Sequence, residues 1–203
     1  MSRVTFFIDG FNIYHALDST RNFHKYKWLD LTKLSNLFIK KTDSIEKIFY
    51  FTALATWSQK KIKRHKNYIK ANELNGIKPV YGKFKSRDKY CPMCRKVFTK
   101  PEEKQTDVNI AICLLEEAMK DNYDTAIIIS GDSDLIPSIK AVRKNFPNKQ
   151  TGIVIPIGRS AEELKNVSDF HIKMKLKHLN SSRLPNEINL GDGDKLVCPS
   201  EWR

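Results

Sequence analysis

The sequence predicts an α/β domain built on a mostly parallel sheet, and three observations carry that prediction. Short β-rich runs alternate with segments of helical periodicity along most of the chain. "TAIIIS" is apolar without interruption, as a strand buried on both faces must be. Acidic residues stand directly behind apolar runs, in "FFIDG" and "IIISGDSD", where strands of such a sheet end.

In chain order, "VTFFI" is the first strand, and "DLTKLSNLFIKK" is a helix opening at Asp30 with Leu31, Leu34, Leu37 and Phe38 on one face. "KIFYFTAL" is the second strand. The basic helix "SQKKIKRHKNYIKANEL" follows, buried along Ile62 and Ile69 and closed by Asn75-Gly76. "KPVYGKF" reads as a third strand leading into a loop or hairpin that carries "CPMC". "TDVNIAICLLEEAM" is a helix with Thr106 as its N-cap, and "TAIIIS" is the fourth strand. "SDLIPSIKAVRK" is a helix, "TGIVIPI" a strand and "SAEELKNV" a short helix. From about Ser181 the chain is polar and turn-rich. We expect one domain over residues 1–178, with a cysteine-containing insertion at about 85–103, and an extended tail at 179–203 packing on it.

A chain of 203 residues with 40% hydrophobic content can bury a sizeable core. It has no run long enough to span a membrane and no signal-peptide pattern, and its four cysteines are too irregular for a secreted disulfide framework. These features predict a cytoplasmic protein with no membrane partner. Its net charge of +13 is segregated: between Arg21 and Lys100, Lys and Arg outnumber Asp and Glu by 21 to 5, and the rest of the chain is slightly acidic. Such a block favours a polyanion, since each neutralised phosphate releases condensed counterions. Solubility alone is the alternative, but it gives no reason for segregation.

Asp9 ends the first strand, and Asp132 and Asp134 follow the fourth. If those strands are neighbours in mid-sheet, their carboxylates share a crevice, and Asp107 is a fourth candidate. Carboxylates crowded in a partly dry site repel, so one holds a proton or a cation neutralises them. Oxygen-only ligation selects Mg²⁺ or Mn²⁺, and hydrolysis of a phosphodiester is the chemistry such a site performs. Each acid also has a structural explanation as a turn former, a helix cap or a first-turn residue. Gly10 is expected to let the backbone turn sharply behind Asp9, with Asn12 offering a neutral polar group to the crevice.

The stretches "FFIDGFNIYHAL", "EEKQTDVNIAICLLEEA" and "YDTAIIISGDSDLIPSIKAVR" together resemble the successive motifs of the NYN domain family of PIN-like ribonucleases, specifically its LabA-like group. The likeness runs from Val4 to about Met174, and "LPNEI" and "CPSEW" in the tail also resemble the family. It implies a PIN-like three-layer α/β/α sandwich and metal-dependent cleavage of RNA. Asp9, Asp107, Asp132 and Asp134 match the family's acidic cluster, with Asn12 and Ser130 at its polar supporting positions.

Lys60, Lys61, Lys63 and Arg64 on the basic helix, with Trp57 ahead of it, form the pattern that holds single-stranded nucleic acid, although Trp57 could equally be core. Lys104, three residues before Asp107, is a candidate for touching the scissile phosphate or a solvated loop lysine. Cys91-Pro-Met-Cys94 reads as half of a Zn²⁺ knuckle, with a redox dithiol and unliganded thiols as alternatives. A catalytically idle RNA-binding or scaffolding module stays open. A HAD-like phosphatase would need a second Asp where Phe11 stands, and "GRSAE" lacks the second glycine of a serine-hydrolase elbow. Sequence leaves a homodimer open.

Overall fold

The computed structural model describes residues 1–191 and 193–203. The chain runs through β1 (Arg3–Asp9), α1 (Gly10–Asp18), α2 (Leu31–Asn36), β2 (Ser44–Thr52), α3 (Gln59–Glu73), β3 (Ile77–Tyr81), β4 (Lys83–Tyr90) and β5 (Val97–Lys104). It continues through α4 (Thr106–Met119), β6 (Thr125–Ile129), α5 (Ile136–Asn145), β7 (Gln150–Ile155), α6 (Glu162–Val167), β8 (Phe170–Lys173), α7 (Leu176–Ser181), β9 (Glu187–Gly191) and β10 (Asp194–Val197).

Six of these strands form one parallel sheet in the order β3-β2-β1-β6-β7-β8. Its central strands have side chains buried on both faces, which is why "TAIIIS" shows no polar alternation. Phe6 and Ile8 of β1 face one core with Leu17, Leu34, Tyr68 and Ile69, whereas Phe7 faces a second with Ile110, Leu114, Ile139 and Leu164. Helices therefore cover both sides, giving the expected three-layer α/β/α sandwich. The sheet order reverses direction between β1 and β6, and ligand sites in such folds lie at that reversal, beyond the carboxyl ends of the strands.

Several local expectations are revised. The run "KPVYGKF" is two strands, divided at Gly82, where a Cβ would lie 2.7 Å from the Lys104 carbonyl oxygen. β3 joins the main sheet, while β4 and β5 form a separate antiparallel hairpin with eight residue pairs, from Lys83↔Lys104 to Tyr90↔Val97. The helix opened by Asp30 stops at Asn36, with the Asp30 side chain accepting from Lys33 N as its cap. Thr106 is the first helical residue of α4, not its cap; the cap position is Gln105, in the left-handed region at φ 81°.

The C-terminal residues form the β9–β10 hairpin and a final 3-10 turn, Ser200–Trp202. Leu184, Leu196, Cys198 and Trp202 are buried in the first core. The Trp202 ring packs against Trp28 and edge-on to Tyr68, with centroids 6.4 and 6.1 Å away, and the Arg64 guanidinium lies over it at 4.9 Å. Glu201 pairs with Lys60 at 2.6 Å, so this segment also fixes α3. Deleting a buried aromatic costs about 3–5 kcal/mol. Trp202→Ala is accordingly expected to lower the unfolding free energy, measured by urea titration, by an amount in that range, and an unchanged value would show that the final residues do not hold α3.

Candidate active site

The site is built at the reversal between β1 and β6. β1 ends at Asp9, whose carboxylate serves as the N-cap of α1, with Oδ1 accepting from Asn12 N at 2.9 Å. Its second oxygen accepts from Ser130 Oγ at 2.9 Å, across from the end of β6. Ser130 Oγ in turn accepts from Asp132 N, and Asn12 Oδ1 accepts from Gly131 N, both at 3.0 Å. This network ties the two strand ends together. Gly10 does not have the left-handed backbone that a sharp glycine turn would require. It is glycine because a Cβ there would stand 2.7 Å from both the Phe51 carbonyl oxygen and the Tyr50 ring.

Asp132 caps the 3-10 turn Ser133–Leu135 through Oδ1, which accepts from Asp134 N at 3.0 Å. Its other oxygen has no protein donor among the described residues, and neither oxygen of Asp107 has one. Burial is the main force pushing both Asp9 and Asp107 up to about 6. Repulsion from Asp132 and Glu103 raises both further, and Asp107 also feels Asp9 and Asp134. Asp9, Asp107, Asp132 and Glu103 line one crevice of about 740 Å³. Asp134 is exposed and is not among the lining residues, although its charge reaches Asp107.

Among the described residues no three His, Cys, Asp or Glu side chains approach closely enough to clasp one ion directly. Hard cations such as Mg²⁺ keep several waters and need only one or two carboxylates plus phosphate oxygens. The donor set fits that kind of ion: all-oxygen, mutually repelling, and with oxygens on Asp107 and Asp132 that no group among the described residues satisfies. Asp9, Asp107 and Asp132 are the residues that could hold it, and Asp134 stands outside the lining.

The opposite wall is cationic and aromatic. Lys61 and Arg64 line the crevice with His65 and Tyr68, one face of α3 at helical spacing. Trp57 is half-exposed at the mouth, edge-on to Phe84 at 4.6 Å, and Phe11 meets Phe84 at 5.5 Å. Lys60 and Lys63 are not part of this wall: Lys60 is held by Glu201 and Lys63 faces solvent. Lys104 pairs with Glu102 at 3.0 Å and lines a shallow basic groove with Lys83, Lys85 and Arg87.

Sequence reading missed Glu103, Lys89, Lys100 and Arg159, all of which line the crevice. Glu103 accepts from the N–H and hydroxyl of Thr106, and the spacing of "EKQT" was a usable signal for it. Arg159 follows the end of β7, beside β6, so the strand-end rule that found Asp132 could have found it too. Cys91 and Cys94 sit at the tip of the β4–β5 hairpin, and Cys198 is in the core.

The buried carboxylate gives a pH signature. Asp9 is raised from the ordinary 3.8 to about 6, so the folded state holds a proton that the unfolded chain has released between those values. Its contribution to stability is full below about pH 4 and is lost as pH rises to about 6, roughly 3 kcal/mol in all. The stability of wild type relative to Asp9→Asn, from urea unfolding in chelator, is expected to fall across that window. A difference that stays constant with pH would contradict the burial argument.

The NYN domain family model matches residues 3–176. A curated relative, 6-hydroxy-3-succinoylpyridine 3-monooxygenase of Pseudomonas putida, is 26% identical over 222 aligned positions, covering 90% of this chain and 68% of the relative. A crystal structure of a protein of unknown function from Vibrio parahaemolyticus superposes with a TM-score of 0.60 at 15% identity, covering 86% of this chain and 94% of that one; this likeness speaks for the fold alone. With the family model spanning the whole sheet and both strand ends of the crevice, the chain belongs to the NYN domain family, whose domain is PIN-like and nuclease-like.

Proposed function

We propose that the protein is an endoribonuclease of the LabA-like kind, hydrolysing phosphodiester bonds of single-stranded RNA with Mg²⁺ or Mn²⁺. The observation that carries this reading is the crevice itself: acids from three separate chain segments face a wall of cations and aromatic rings. Such an ion, when bound, supplies a more acidic water and stabilises charge developing on the phosphate oxygens.

The chain's own residues do the rest. Ser130 and the Asn12 backbone fix both oxygens of Asp9, so the carboxylate is oriented before any ligand arrives. The Asn12 amide nitrogen has no protein acceptor among the described residues and can donate to a phosphate oxygen. Lys61, Lys89, Lys100 and Arg159 offset backbone charge along the strand, and Trp57 and Phe84 offer faces on which bases stack. No helix among the described residues is long and apolar enough to cross a membrane.

A second reading follows from the aromatic mouth, which would also admit a small ring. The relative named above is a monooxygenase of a hydroxypyridine, and oxygenation of such a ring would consume oxygen and a reductant.

Labelled single-stranded RNA incubated with Mn²⁺ is expected to be cut internally, and chelator is expected to abolish the cutting. Groups that merely support a metal ligand cost roughly 10–100-fold when removed; Asp132→Asn should cost at least that much while RNA binding persists. Binding without cleavage by both proteins would make the module an idle binder. Turnover of a phosphomonoester would revive a phosphatase, and oxygen-dependent loss of a hydroxypyridine would favour the second reading.

Lys61→Ala and Lys100→Ala should each weaken RNA binding irrespective of sequence and flatten the log–log salt dependence by about 0.7. Lys63→Ala and Lys104→Ala should leave both nearly unchanged. Equal effects from all four would mean that the crevice wall is not the RNA path.

A further inference from the structure

The tip of the β4–β5 hairpin carries chemistry that the crevice does not use. Cys91-Pro92-Met93-Cys94 forms its turn, closed by Cys91 N donating to Lys96 O at 2.9 Å and Arg95 N donating to Cys91 O at 2.8 Å. Arg95 takes the left-handed conformation, φ 54°, that lets the chain double back. Inside this turn the backbone N–H of Cys94, the Cys94 thiol and the backbone N–H of Met93 lie beside the Cys91 sulfur. Two thiols converging from one tight turn, with backbone N–H groups serving a sulfur, make half of a tetrahedral thiolate site.

The other half is not in the same chain among the described residues. No third His, Cys, Asp or Glu comes within ligating reach. Asp88, the nearest acid on β4, accepts from Thr99 Oγ1 at 2.7 Å, and Cys198 is buried in the core. The rim of the tip is apolar and open to solvent: Met93 is 94% exposed, Val97 65% and Tyr90 60%. Strands of eight residues carry this tip about 25 Å along the hairpin from Gly82.

We propose that the hairpin tip is a zinc-dependent dimerisation site, in which Cys91 and Cys94 of two copies of this chain complete one Zn(Cys)₄ centre. The thiols enter as thiolates, releasing their protons to solvent, so four sulfurs around Zn²⁺ leave a net negative centre. Arg95 and Lys96 from both copies flank it and offset that charge, which lets two otherwise basic hairpins approach. The exposed Met93, Tyr90 and Val97 rims close over the metal. Because two tips bury little area, the ion holds the pair together.

The test uses the full-length chain, reduced and freed of metal, titrated with Zn²⁺ under light scattering and with Co²⁺ under absorption spectroscopy. The expected result is saturation at one ion for two chains, a doubling of mass at that point, and tetrahedral tetrathiolate bands with Co²⁺. Chelator should return the monomer. Cys94→Ser should neither retain zinc nor dimerise, and Cys113→Ser should behave as wild type. Zinc bound one per chain by a monomer, no zinc retained, or a dimer that survives chelator or Cys94→Ser would each overturn the proposal. Neither readout depends on RNA cleavage, so failure here leaves the acidic crevice untouched, and the reverse holds as well.

Discussion

Like-charged groups held close together in a partly dry crevice set the terms for the rest of this fold. Asp9, Asp107, Asp132 and Glu103 come from the ends of two strands, the exit of a hairpin and the first turn of a helix, and the parallel sheet forces them to face one space. Their repulsion costs stability, which the chain accepts by building rigid surroundings. β1 and β6 are paired over five residues and buried on both faces, and hydrogen bonds from Ser130 to Asp9 and from Gly131 to Asn12 stitch their ends. The proposed cation would relieve the repulsion that this frame holds.

The structural and the chemical explanations of these acids turn out to describe the same geometry. Asp9 is the N-cap of α1 and Asp132 the cap of the following 3-10 turn, while Asp107 stands in the first turn of α4, where the macrodipole favours it. Capping uses the Oδ1 atoms of Asp9 and Asp132, so it helps to aim the carboxylates and does not compete with ligation. Asp107, which caps nothing and has no donor among the described residues, is the least satisfied of the three and is raised as far as the buried Asp9 despite being only half-buried. On the far side, the final residues brace α3 through Trp202 and Glu201, and α3 in turn presents Lys61 and Arg64 to the crevice.

What could be read from the sequence divides along the range of the contacts involved. The sheet strands, the cap at Asp30 and the convergence of Asp9 with Asp132 rest on local periodicity plus one topological rule and are legible, whereas helix α1, which Asp9 caps, is not among the helices that the sequence predicts. Directions of charged side chains are not legible. Lys61 and Lys63 look equivalent in "KKIKR", yet only the helical phase of 61, 64, 65 and 68 decides which faces the site. Lys104 is close to Asp107 in sequence, but Glu102 claims it. Local sequence assigns Gly10 a turn, whereas its neighbours Phe51 and Tyr50, distant along the chain, are what exclude a side chain. Lys89, Lys100 and Glu103 reach the crevice only because Gly82 ends β3 and starts a hairpin, a break that apolar patterning in "KPVYGKF" conceals.

The claim that these acids form a cation site is tested most directly by soaking crystals of the protein in Mn²⁺ and collecting anomalous diffraction. The account predicts a peak in the crevice within reach of Asp9, Asp107 and Asp132, directly or through one water, and its loss in crystals of Asp107→Asn. A crevice without anomalous density at saturating Mn²⁺, or density only at sites remote from those carboxylates, would contradict it.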